Sequence, residues 1–593
     1  MKITKLEVLS LLLIAFSVAV QIHCAVFGLD LTDEGYLMSL FKWAGYDLRY
    51  AQGTGGYPLT VFVGSKLMAL SPESGILGMR LIGVVMIALM EIAIYLYLRR
   101  FFSPVMVAIG ITVQAIFVAG DPKPFGYNLM TIMMCIVAIT AIVEGSTHRN
   151  YLLLFGGGLV LGVNVFVRLP NAACMALATT PFLISYQKWN RAYLKDSLRL
   201  SLIILAGFCL GVFLTWQLLV TLGYDTLVTE FFASITGTLN GTSTHGSSAL
   251  LSKYIGNYAA CVWLLLLYAI AVSIVGLVFH VGKRWLILVG LFVAFQIVYR
   301  SAYMTGNILG ANILAVMNGI GIVGTCYYLD KSPIQRLLAY AAVLCSVLVP
   351  LGSDGGYQTM WVGTWLSLPI GMSGVFMYLS DRVEARWKCS FEMSSDENSS
   401  EIKVGVSFED LRLGFLFCLV VFMFAVLVKV ERKAYYDPGS RFDKLYSIES
   451  PLAKGIYTVK KRAEVLNPLL RELPKYVKPY DELLVYDSAP LLYYLTNTRP
   501  FAGISWPCVF YGQPYADKLE QAEQECDYLP VVVVQHFRTS NEWSKVLPDY
   551  YDTEYDTGFS SWEMSSTFFK FLARNGYRQV WSNGYFEIMV PRD

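Results

Sequence analysis

Apolar stretches long enough to cross a bilayer recur along the first 430 residues. A spanning helix needs about 20 mostly apolar residues. Thirteen stretches meet that need, near 6–27, 76–98, 104–120, 127–143, 151–167, 171–187, 198–222, 254–279, 285–302, 308–329, 335–351, 357–379 and 411–430. The pattern predicts an α-helical polytopic membrane protein with about thirteen transmembrane helices over residues 1–430. Every second connection is basic: Arg99 and Arg100, His148 and Arg149, Lys188 through Arg199, Lys283 and Arg284, Lys331 and Arg336, then Arg382, Arg386 and Lys388. Cytoplasmic loops are enriched in Lys and Arg, so the N-terminus is expected inside and the C-terminus outside. Lys2, Lys5 and the "SVA" at 17–19 have the look of a signal peptide. That reading is set aside because the apolar stretch continues to about Phe27 and cleavage would unbalance the alternation.

Two regions depart from the spanning pattern. The first exterior loop, 28–75, is long and looks structured: "EGYLMSLFKWAGYDL" fits a helix lying in the membrane interface, and "YPLTVFVGSKLMAL" at 57–70 fits a second, entered through "GTGG" at 53–56. From 431 to 593 the chain turns polar and aromatic. Helical "KKRAEVLNPLLRELPKYV", strand-like "ELLVYD", helical "APLLYYLTN", apolar "PVVVVQH", helical "SSTFFKFLARNG" and a hairpin through Asn583-Gly584 follow one another. Their alternation predicts a C-terminal exterior α/β domain, either a lid or acceptor-binding unit or a structural cap. "SSDENSS" at 394–400 reads as a flexible polar linker in an inner loop.

Composition agrees with the pattern. The 593 residues are 55% hydrophobic and 15% charged, with a mean hydropathy of +0.51, outside the range of ordinary soluble domains. A net charge of +2 carries no signal for a nucleic-acid partner. Eleven cysteines show no CxxC or Cys/His spacing, which argues against a zinc site or a disulfide framework. Cys508 and Cys526 are the one pair in the polar C-terminal region, and whether they bond stays open. No Walker or dinucleotide motif is present, so ATP or a nucleotide sugar is not expected as direct ligand. "GGG" at 156–158 reads as close helix packing. Glu91, inside the second span, is expected to pair with Arg99 or Arg100 toward the inner surface.

The densest candidate chemistry is "LDLTDEGYLMSL" at 29–40, with Asp30, Asp33 and Glu34 at the outer edge of the first span. Exterior loops tolerate acids, which would account for them without function. Alternatively, a carboxylate partly desolvated at the bilayer surface serves as a base on a hydroxyl. "TDEGY" at 32–36, in a long first exterior loop within this topology, resembles the GT-C glycosyltransferases, membrane enzymes that use polyprenyl-phosphate sugars, such as protein mannosyltransferases and the lipid A aminoarabinose transferase. "FVRLPN" (166–171), "PLGSDGG" (350–356) and "YDSAPLLYYLTNTRP" (486–500) are similar to segments of bacterial members.

The resemblance implies that Asp33 is the catalytic base and Glu34 the second acid of the pair, with Asp30 orienting the base or touching the sugar. Some lipid A-modifying members carry an arginine shortly after the pair. Gly35, Tyr36 and Leu37 stand here instead, so phosphate contacts do not carry over. A sugar on a lipid phosphate already has a good leaving group, so an inverting transferase needs one base and cations for the phosphate, unlike a two-carboxylate glycosidase. Lys123, Arg168, His245 and Arg300 lie at exterior ends of spans or in exterior loops and are the candidate phosphate contacts; snorkelling to lipid headgroups is the alternative for each. The implied partners are a polyprenyl-phosphate-linked sugar donor, a glycan, lipid or protein acceptor, and membrane lipids, with no nucleic acid. The family mostly works without a nucleotide cofactor, and a divalent cation near the carboxylates stays open. The resemblance also implies a bacterial inner membrane with the site facing the periplasm. A secondary transporter or lipid-linked-sugar flippase, and a non-catalytic scaffold, are the rival classes.

Overall fold

The computed structural model describes residues 5–51, 56–120, 125–184, 190–239, 247–282, 284–351, 360–382, 386–393, 400–434, 436–507, 513–537, 539 and 562–592. Its first fourteen α-helices are α1 (Lys5–Ala25), α2 (Asp33–Tyr46), α3 (Pro58–Leu70), α4 (Gly75–Leu98), α5 (Pro104–Ala119), α6 (Tyr127–His148), α7 (Tyr151–Val167), α8 (Arg191–Thr221), α9 (Asp225–Leu239), α10 (Ser247–His280), α11 (Arg284–Thr325), α12 (Pro333–Leu348), α13 (Thr364–Ser380) and α14 (Phe408–Arg432). Among the described residues, six helices are long and apolar enough to cross a membrane: α1, α4, α6, α8, α10 and α14. The array is a helical membrane protein in its surface chemistry as well. Leu12, Leu89, Trp263 and Leu288 point outward at 61%, 61%, 62% and 69% exposure, while polar groups pair inside it. Thr364 donates to Gln114 at 2.7 Å, Gln114 donates to the Trp361 carbonyl at 2.8 Å, and Asn171 donates to Thr131 at 2.8 Å. Lipid imposes no penalty on outward leucines, so interior polar pairs and close packing hold such helices together. Glycines permit that closeness between α7 and α8: a Cβ on Gly158 would stand 2.0 Å from the Ile204 carbonyl oxygen, and one on Gly207 2.1 Å from that of Phe155.

Three expectations change. The span expected at 171–187 is a 3-10 helical run, Leu169–Leu183. At about 2.0 Å rise per residue its 15 residues reach about as deep as 20 residues of α-helix. The two spans expected at 285–302 and 308–329 form one helical run, α11, with no coil between them.

Glu91 does not pair with Arg99 or Arg100. It is fully buried and accepts from Ser17 and, at 2.5 Å, from Gln21 on α1, while Arg99 reaches Glu7 at 3.4 Å. Helix α4 turns this residue toward α1, and a hydrogen-bonded contact one helix away wins over a charge two turns along. Finally, the segment around "SSDENSS" is bracketed by an antiparallel hairpin, Arg386–Met393 with Ser400–Ser407; residues 394–399 lie outside the described residues.

The C-terminal region contains a five-stranded sheet in the order 578–582, 586–590, 531–535, 482–486, 499–500. The three strands at 531–535, 482–486 and 499–500 are parallel, and the other two form the antiparallel hairpin through Asn583-Gly584. Helices Lys460–Glu472, Leu491–Leu495, Gln513–Glu525 and Trp562–Arg574 surround it. Its fit to the helical array is intimate. One apolar core runs from Leu37, Phe41 and Met79 through Leu466 and Leu492 to Val533 and Ile588. Accordingly α2, expected to lie in the interface, has ten of its fourteen residues buried, because the C-terminal region covers its outer face.

A buried charge cluster fastens this contact. Asp437, fully buried, accepts from the Leu29 amide at 2.8 Å and the Thr458 hydroxyl at 2.8 Å and faces Lys444 and Arg462, each at 3.4 Å. Arg462 donates in turn to the Leu29 carbonyl at 3.0 Å. Removing one partner of a buried ion cluster leaves uncompensated charge, at a cost of about 3–5 kcal/mol. Asp437→Ala is therefore expected to lower thermal stability by that order and to expose the 433–459 segment to limited proteolysis, both measured on detergent-purified protein.

Candidate active site

The stretch "LDLTDEGY" breaks from α1 into α2 through residues whose side chains have separate tasks. Asp30 is buried, at 4% exposure, and turned inward. Its oxygens accept from the Thr32 amide at 2.8 Å, the Thr32 hydroxyl at 2.6 Å and the Glu34 amide at 2.9 Å. It thus satisfies first-turn donors of α2, which have no partner inside the helix. Burial, and next the Asp33 carboxylate, push its pKa up to about 7, against the pull of these hydrogen bonds.

Glu34 is buried as deeply and belongs to Arg80 of α4. The guanidinium grips it as a fork, Nε to Oε1 and Nη2 to Oε2, both at 2.6 Å. The remaining donors of Arg80 go to the carbonyls of Ala25 at 2.8 Å, Gly28 at 2.9 Å and Phe27 at 3.5 Å. A guanidinium has five N–H groups, and all five are used. Arg80 is thus a clamp that joins the end of α1 to the start of α2, with no donor left for a substrate phosphate. Gly35 is set by contact: a Cβ there would fall 2.5 Å from the backbone nitrogen of Leu491. That amide donates to the Leu31 carbonyl at 3.1 Å, and Ser39 donates to the Pro490 carbonyl at 2.7 Å.

With its neighbours turned inward, Asp33 is the carboxylate that faces a cavity of about 260 Å³. Polar and aromatic side chains line it, from Asp33 and Tyr36 of α2, Tyr57, Tyr127, Asn128, and Trp506 of the C-terminal region. Apolar ones line it too, Val84 and Ile87 of α4, Phe117 of α5 and Leu129 of α6, together with Trp361, Trp365 of α13, Gln21 of α1 and Arg80. Tyr57 donates to Tyr36 at 3.1 Å, its ring lies 5.2 Å from that of Tyr127, and Tyr36 packs on Trp506 at 5.6 Å. Burial, then the neighbouring Tyr36, Tyr127 and Asp33, hold the Tyr57 phenol well above its usual pKa, so it stays a neutral donor.

Of the proposed phosphate contacts, Arg168 is 7% exposed and donates to Asn128, a wall residue, at 3.5 Å. Lys123 and His245 lie outside the described residues, as does the side chain of Arg300. Asp30 and Glu34, expected to touch substrate or act in catalysis, are instead absorbed by the α2 N-terminus and by Arg80, and neither lines the cavity. Cys508 lies outside the described residues, so its relation to Cys526 is not described. No three His, Cys, Asp or Glu side chains converge as a metal-ion site among the described residues. Sequence reasoning missed Arg80, Tyr36, Tyr57, Tyr127 and the three tryptophans Trp361, Trp365 and Trp506. Arg80 had a usable signal, because it stands four residues into the second span at an end where the charge rule supplies no arginine. Comparison with protein-family models and with curated proteins finds no match to this chain.

Two measurements test this arrangement. Arg80→Ala and Glu34→Ala should each cost about 3–5 kcal/mol of stability, and the double variant Arg80→Met with Glu34→Leu less than their sum, read by thermal unfolding. Asp30 carries a raised native pKa, so the native state binds its proton more tightly than the unfolded chain does. The stability difference between wild type and Asp30→Asn should therefore shift against the wild type as pH rises from about 4 to about 7, and level off above that.

Proposed function

We propose that this protein is a membrane glycosyltransferase of GT-C architecture that moves a sugar from a polyprenyl-phosphate carrier to a hydroxyl of a glycan, lipid or protein acceptor. The observation that carries the reading is Asp33: the carboxylate of the "TDEGY" motif stands on the wall of a cavity lined both by polar and aromatic side chains and by apolar ones. A lipid-linked sugar calls for both kinds of surface. In this reading the thirteen crossings hold, with α11 supplying two of them, the first loop and C-terminal α/β domain lie outside, and the membrane is a bacterial inner membrane with the site toward the periplasm.

The chemistry follows from one base. The acceptor oxygen attacks the anomeric carbon from the face opposite the phosphate, its proton passes to the Asp33 carboxylate, and the C–O bond to phosphate breaks with its electron pair leaving on the phosphate. The configuration inverts. Arg80 and Glu34 hold the α1–α2 corner so that Asp33 points into the cavity, while Tyr36 and Tyr57 offer neutral hydroxyls beside it. Arg168, through Asn128, and Lys123, His245 and Arg300 are the cations proposed for the departing phosphate. A flippase would place working charges at mid-depth; the acid in that position, Glu91, is occupied by Ser17 and Gln21.

Loss of a positioned base slows proton-coupled transfer by about 10²–10⁴-fold. Membranes given a polyprenyl-phosphate sugar and acceptor extract should release carrier phosphate at a rate that falls by that factor in Asp33→Asn and by less than about tenfold in Asp30→Asn. Equal turnover in the two variants would remove Asp33 from the role of base.

A further inference from the structure

The residues that line the cavity include two with a buried polar atom that has no hydrogen-bond partner among the described residues. Gln21, 3% exposed, donates its amide N–H to Glu91 at 2.5 Å, and Ser17 donates to the other oxygen of Glu91. With its N–H on Glu91, the amide turns its Oε1 acceptor away from that carboxyl. Among the described residues that oxygen has no hydrogen-bond partner. Trp365, 2% exposed, lines the same cavity, and its indole N–H likewise has none. A buried donor or acceptor left unmatched costs about 1–3 kcal/mol, and here both unmatched groups belong to residues that line the cavity.

The two senses restrict what completes them. An isoprenoid chain offers neither donor nor acceptor. An ionised phosphate accepts from Trp365 but has nothing to donate to Gln21. A sugar hydroxyl does both. We infer that Gln21 and Trp365 form a sugar-hydroxyl subsite in the cavity, so that the transferred sugar sits between these two side chains and Asp33. The inference rests on the glycosyltransferase reading and adds to it the part of the donor that these residues recognise. Glu91 is a positioning residue, because it acts through the amide of Gln21.

The test is binding, measured as the shift in thermal unfolding of the detergent-purified full-length protein with undecaprenyl phosphate, and with the same lipid carrying glucose, mannose or arabinose. Wild type should be stabilised by the bare lipid and further by at least one sugar-bearing lipid. Gln21→Leu and Trp365→Phe, which keep the bulk of each side chain, should retain the response to the bare lipid and bind the sugar-bearing one about tenfold more weakly, the equivalent of one lost hydrogen bond. If both variants keep the full difference between sugar-bearing and bare lipid, the subsite is overturned and the donor class stands. If wild type responds to none of these lipids, the donor class fails and the subsite falls with it.

Discussion

The corner where α1 gives way to α2 depends on Arg80. Its five N–H groups close on Glu34 and on the carbonyls of Ala25, Phe27 and Gly28. These are the groups a helix end leaves without partners, together with a carboxylate that could not be buried alone. Once the corner is clamped, the first turn of α2 has a fixed direction, and three acids close together in sequence face three different environments. Asp30 meets backbone amides, Glu34 meets Arg80, and Asp33 meets the cavity. A site that needs one base among several carboxylates can be made this way, by burying the competitors in structural bonds.

The C-terminal region acts on the same corner from the other side. Asp437 holds the amide of Leu29 and Arg462 holds its carbonyl, so the chain entering α2 is tied at both its helical and its C-terminal faces. Gly35 lets the backbone at Leu491 approach α2 closely, and Trp506 closes the cavity against Tyr36. The packing is one continuous core, and the cavity wall is composite. Its shape therefore depends on the docking of the C-terminal region, which supplies Trp506 to the cavity wall.

Much of the helical array was legible in the chain. Apolar length located α1, α4, α6, α8, α10 and α14, and turn chemistry located the Asn583-Gly584 hairpin, because both signals are local. The long 3-10 run at Leu169–Leu183 and the uninterrupted assignment of α11 were not legible, since apolar residues of either helix type look alike in a linear string. Glu91 shows the same limit at the level of one side chain. Its sequence neighbours Arg99 and Arg100 gave a plausible partner, and the rotation of α4 against α1 chose Ser17 and Gln21 instead.

By itself the sequence determined that this chain carries helices apolar enough to cross a membrane, and that acids gather at the end of the first of them, because hydropathy and charge are properties of residues one at a time. Which acid faces the cavity was decided only by tertiary structure. Asp30, Asp33 and Glu34 are chemically near-identical along the chain. They differ through partners drawn from α4 and from neighbouring backbone, and through the cavity that six or more distant segments enclose. The partners of Asp30 are local, but Arg80 stands 46 residues from Glu34 and the cavity is closed by segments as distant as Trp506, which only the folded packing brings together.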